Sequence, residues 1–125
     1  MKATELMVRD WVCLKDDVKC ELPLKVDGVL TDDISLDGEG FLGGAEGLIR
    51  PITITPKMLE KNGWKETQYW HEYQDGKNTI HCCLPDMRGR INGIEIEHFK
   101  CEYVHQYQHL LRLCGLDELA DNFKV

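Results

Sequence analysis

Apolar positions along the chain change rhythm part-way. The first 54 residues carry short runs separated by turn residues. The β-favouring cluster Trp11-Val12-Cys13-Leu14 predicts a strand, and Lys15-Asp16-Asp17 a turn. Leu22 to Leu30 predicts a second strand, with Pro23 near its start and a bulge at Gly28. Ile34-Ser35-Leu36 predicts a third, followed by the turn Asp37-Gly38-Glu39-Gly40. Gly43, Gly44 and Gly47 mark loop, and Leu48 to Ile54 with Pro51 inside it predicts an edge strand. Short strands between Gly-rich turns point to a small, strongly bent sheet or barrel.

From residue 55 the pattern alters. Thr55-Pro56 is an N-cap followed by a proline at the first helical position, and Gly63 is a stop signal, so a short helix is predicted between them. Thr67–Gln74 and Lys77–Leu84 read as a hairpin around Asp75-Gly76, with Gln74 opposite Lys77 and Trp70 opposite His81. Pro85 to Arg90 reads as a loop. Asn92-Gly93 then turns into a strand over 94–99 whose Ile94 and Ile96 share a face. Val104, Tyr107, Leu111 and Cys114 recur at helical spacing, widened by Leu110, and predict a helix from Glu102 to Cys114. Leu116 to Ala120 extends it by a turn. The expected class is α+β, with a β lobe over 1–54 and a lobe of helix, antiparallel sheet and terminal helix over 55–125.

Charge narrows the partners. The net charge is −7. Residues 1–63 hold 8 basic and 12 acidic groups and residues 64–125 hold 7 and 10, so no basic arm exists. Phosphate neutralisation dominates nucleic-acid affinity, which disfavours a nucleic-acid partner and favours a protein. No apolar run reaches the length of a membrane span, and the start carries no secretory pattern. A cytoplasmic address is expected, with no membrane partner. The six cysteines lack any C-x-x-C, so free thiols acting as small core residues are expected.

Candidate chemistry is sparse. His105 and His109 sit four apart on the terminal helix, and Gln108 and Arg112 join them in a polar stripe. The glutamate of H-E-x-x-H is missing, because residue 106 is glutamine. The guanidinium of Arg112 would also repel a cation. His105, Gln108, His109 and Arg112 therefore form a candidate interaction face, with no metal, no cofactor and no catalytic residue assigned. His71-Glu72 fails the same motif. His81 and Cys82 project to opposite faces of a strand and make no nucleophile–base pair. Gly38-Glu39-Gly40-Phe41-Leu42-Gly43 matches G-x-G-x-x-G by letters, in β rather than βαβ surroundings.

Three stretches carry a resemblance: M-K-A-T-E-L-M-V-R-D-W-V at the start, I-R-P-I-T-I-T-P-K-M-L-E-K-N-G-W in the middle, and Y-V-H-Q-Y-Q-H-L near the end. Their order resembles a family of small uncharacterised proteins of gut-dwelling anaerobic bacteria, often carried by prophages and conjugative elements. The sequence departs from the family pattern at Arg9 (glycine), Thr53 (proline) and His109 (asparagine). The resemblance implies a Src-homology-3-like small β-barrel in the first half and no assigned activity. A non-enzymatic binding module of a mobile element is the leading expectation. The alternative is a small enzyme or nuclease accessory using the helix histidines.

Overall fold

The computed structural model describes residues 1–2, 5–37, 41–76 and 78–125, without the side chains of 41–43. The expected turn at Gly38-Glu39-Gly40 and the hairpin residue Lys77 lie outside the described residues. The protein is α+β and divides into two compact units, Met1–Ile52 and Thr53–Val125.

The first unit is an antiparallel sheet of β1 (Trp11–Leu14), β2 (Leu24–Leu30), β3 (Asp33–Leu36), β4 (Phe41–Gly44) and β5 (Ile49–Arg50), in the order β4-β3-β2-β1-β5. Its core is Leu6, Val12, Val26, Ile34, Leu36, Ala45 and Ile49. The expected bulge is present, since the β2–β3 register shifts between Val26 and Gly28. β4 corrects the reading of its second half as loop: the glycines carry no strand propensity, and pairing with β3 makes the strand. The chain enters β1 through a tight turn. The Asp10 carboxylate, fully buried, accepts the Met7 amide at 2.8 Å, and Arg9 takes a left-handed φ of 75°.

The loop after β1 corrects a second expectation. Asp17 accepts the amides of Glu21 (3.0 Å) and Leu22 (2.9 Å), while the Arg50 guanidinium donates to the carbonyls of Asp17 and Val18. The amide of Leu22 first, then that of Glu21, hold the Asp17 carboxyl below its ordinary pKa. This folding brings Cys13 and Cys20 to a Cα separation of 5.7 Å, and they are joined as a disulfide. A seven-residue separation gave no such signal, because the loop's hydrogen bonds, not its length, create the approach. Cys82, Cys83, Cys101 and Cys114 are free.

The second unit begins with α1 (Pro56–Lys61). Thr55 Oγ1 accepts the Met58 amide at 3.3 Å as its N-cap, and Gly63 follows with φ 92°. The sheet is β6 (Lys65–Glu66), β7 (His71–Asp75), β8 (Asn78–Cys83), β9 (Asp86–Ile91) and β10 (Ile94–Lys100), ordered β10-β9-β8-β7-β6 and antiparallel throughout. The hairpin exists in a corrected register. Asp75 pairs with Asn78, and His81 lies opposite Glu72 rather than Trp70. The shift moves each partner by two residues, so every side chain keeps its face. Trp70 and His81 still meet, with ring centroids 4.8 Å apart.

β9 replaces the expected loop at 85–90. Its sequence has neither apolar alternation nor β-branched residues until Ile91, yet Met87 and Ile91 are buried on one face and Gly89 sits between them. Asn92 and Gly93, with φ 49° and 79°, close the next hairpin. Ile96 is buried there, whereas Ile94 at the strand's start stays exposed.

α2 (Val104–Leu113) follows, then α3 (Asp117–Asp121). Gln106 Oε1 accepts the amides of Glu102 and Tyr103, both at 3.1 Å, which fixes the start of α2. Tyr107, Leu111 and Cys114 are buried as the helical period predicts. The chain's last residues dock: Phe123 is buried edge-on to Tyr107, and the Asn62 side-chain amide exchanges two 2.7 Å hydrogen bonds with the Lys124 backbone. No described helix is long and apolar enough to cross a membrane.

Candidate functional site

The structure disperses the expected polar stripe of α2. His105 is only 6% exposed, stacked on Tyr103 and edge-on to His109. Gln108 is fully buried, and its Nε2 donates to the Ala120 carbonyl at 3.0 Å. Arg112 is half-buried and forms an ion pair with Asp121 at 3.2 Å. His109 is half-buried. The expected interaction face is therefore corrected at His105 and Gln108, which are buried, Gln108 as an internal strap. The reason is α3, which folds back on α2 and takes up Gln108 and Arg112. Neither His105 nor His109 belongs to a cluster of three metal-capable donors among the described residues.

A second place gathers more chemistry. β6 and β7 are joined by a turn over 67–70, in which the Thr67 amide donates to the Trp70 carbonyl at 2.7 Å. The Thr67 hydroxyl donates to the same carbonyl at 2.8 Å. This turn lifts Tyr69 outward, 73% exposed, with Trp70 tilted beside it at a centroid distance of 6.1 Å. Beneath the rim is a concavity of about 330 Å³ whose walls include Glu66, His71, Cys82 and Leu84. Trp70 is steadied from the other strand by His81, which in turn lies 3.4 Å from the Glu72 carboxylate.

The free thiols of this unit differ. Burial pushes the Cys82 thiol up to about 12, reinforced by its neighbour Cys83. Burial likewise pushes Cys101 up to about 12. These two are held protonated at neutral pH and supply no thiolate nucleophile. Cys83 is half-buried and its Sγ donates to the Tyr69 carbonyl at 3.5 Å, tying the rim to β8.

His71 is on the inward-facing side of β7, directly opposite Glu66 across the β6–β7 ladder. α1 contributes Glu60, whose Oε1 is 3.6 Å from His71 Nε2. Sequence reasoning placed Trp70 and His81 together and dismissed His71-Glu72 as a motif. It missed Glu60, Glu66 and His71, which come from three different elements and share no local spacing. No protein-family model matches the chain, and neither a curated protein nor a solved structure does.

Proposed function

We propose that the protein is a non-enzymatic binding module for another protein, associated with a mobile genetic element as the resemblance implies. The observation that carries this reading is the aromatic rim: Tyr69 stands exposed beside Trp70 over a walled concavity. Aromatic side chains offer large contact area at small entropic cost and dominate binding energy at protein interfaces. The even spread of acid and the net charge of −7 oppose nucleic acid as the partner. Glu72, 3.4 Å from His81 beside Trp70, favours a basic peptide segment with an apolar anchor. The binding surface moves accordingly from the helix stripe to the rim. The strand order β4-β3-β2-β1-β5 supports reading the first unit as a small barrel of the Src-homology-3-like kind. A cytoplasmic address belongs to the same proposal.

The test is capture from a bacterial host with the tagged wild-type chain and with Tyr69→Ala, each with and without nuclease. A protein recovered by the wild type, resistant to nuclease and lost with Tyr69→Ala, is the expected result. Nucleic acid as the captured species, or capture indifferent to Tyr69, would overturn the reading.

A further inference from the structure

We propose that Glu60, Glu66 and His71 form a binding site for a divalent first-row metal ion. The inference goes beyond the binding-module reading and stands whatever docks on the aromatic rim.

Three elements converge on this point for separate reasons. Glu66 and His71 are cross-strand partners, so both side chains rise from the same face of the β6–β7 pair. Lys65, the neighbour of Glu66, projects to the other face by the strand period. The Thr67 clamp fixes the turn between the two strands. α1 supplies Glu60 from its last turn, and the end of that helix is anchored by the Asn62 side chain on the backbone of Lys124.

The donor atoms of Glu60, Glu66 and His71 all lie within 4.8 Å of one another. Metal–nitrogen and metal–oxygen bonds of about 2.0–2.2 Å place two ligands of one ion roughly 3–4 Å apart. The Glu60–His71 separation of 3.6 Å already fits. Closing the rest asks about 1 Å of movement from two glutamate side chains on exposed residues, a change of rotamer rather than of backbone.

A second observation points to a ligand independently. The His71 side chain is 13% exposed, but its Nε2 has no solvent contact and no hydrogen-bond partner. A sealed nitrogen without a partner is costly, because it has lost its water and gained nothing in exchange. At 3.6 Å the Glu60 oxygen is too far to satisfy it by a hydrogen bond. A cation between them satisfies both. One imidazole and two carboxylates balance a divalent charge and form a donor set of intermediate hardness, suited to manganese, iron or zinc. Three protein ligands leave coordination positions open, and these would face the concavity that Glu66 and His71 help to wall.

The test is titration of the purified chain with Mn²⁺ alone, followed by electron paramagnetic resonance of the free ion. Manganese has little affinity for thiols, so the cysteines do not confuse the count. The expected result is saturable binding of about one ion per chain, lost in His71→Gln and weakened about ten-fold or more in Glu60→Gln and Glu66→Gln. Circular dichroism shows whether each variant is folded. If His71→Gln unfolds, the wild-type chain still decides by nuclear magnetic resonance. Substoichiometric Mn²⁺ should broaden the His71 ring signals before those of His98, His105 and His109. Absence of saturable binding, binding unchanged in folded Glu60→Gln and Glu66→Gln, or broadening that spares His71 would each overturn the proposal.

Discussion

At Gly89 the absence of a Cβ decides whether β8 and β9 can pair. The residue lies opposite Ile80 with φ 126°. A Cβ built there would sit 2.5 Å from the Thr79 carbonyl oxygen and 3.1 Å from the Ile80 Cα, both backbone atoms. Neither can swing away as a side-chain tip could. Gly89→Ala should therefore cost on the order of 3 kcal/mol, combining backbone strain with overpacking. Gly93 is the matched control: its φ is 79°, but nothing lies within 4 Å of an added Cβ. Gly93→Ala should cost only the left-handed penalty, about 1–2 kcal/mol. Urea melts of the two variants give the comparison, and equal midpoints would refute the steric account. Asn92 shows the complementary use of a left-handed position. Its amide donates to Asn78 Oδ1 at 2.6 Å and its side chain donates to the Cys114 carbonyl, so one turn residue joins β8 to the end of α2. Arg9 holds φ 75°, an L-residue kept in a conformation that favours glycine by the turn that Asp10 closes.

Among the elements, α2 separates what periodicity can and cannot reveal. Its apolar side was legible because burial follows the 3.6-residue repeat, and Leu111 in that stripe is fully buried. Its polar side was misread because polarity alone does not distinguish a solvated face from one satisfied internally. The satisfying partner, α3, is five residues long and too short to show a period of its own. The same limit hid β9, where pairing on both sides overrides weak propensity. The hairpin register slipped by two because the loop position was judged from Asp75-Gly76 alone. Three substitutions in α2 test this division. Leu111→Ala should cost about 2–5 kcal/mol through lost burial and cavity formation. Gln108→Ala should cost about 1–2 kcal/mol, since it removes a buried hydrogen bond to the Ala120 carbonyl, which keeps the Phe123 amide, together with the packing of the side chain. His109→Ala, which removes an edge contact to His105 from a half-buried position, should cost about 1 kcal/mol or less. Denaturant midpoints should follow that order. A Gln108 variant as stable as the wild type would mean that α3 does not cover it.

For the whole molecule, the α+β class was readable from the chain, whereas the candidate metal donors were not. Their positions are six and five residues apart, a spacing with no local meaning until α1, β6 and β7 are placed. What the fold does with its free thiols has a consequence for overall stability. Cys82 and Cys101 are pushed from an ordinary value of 9.0 to about 12, in each case chiefly by burial. Tyr107, fully buried, is raised well above its ordinary 10.0 by the same cause, with Cys82 and Cys101 adding to the shift. In the unfolded chain these groups release their protons near their ordinary values, while in the folded chain they retain them. Between 9.0 and about 12 the unfolded state therefore binds fewer protons than the folded state, and stability falls as pH rises. Below 9.0 both states hold the thiol protons, and these groups give no slope. Urea midpoints measured at intervals from about pH 8 to about pH 11 should be flat at first and then decline. Cys82→Ala removes one of the buried acids, so it should start from a lower stability but decline less steeply. A decline of the same steepness in Cys82→Ala, Cys101→Ala and Tyr107→Phe would show that these buried groups are not its source.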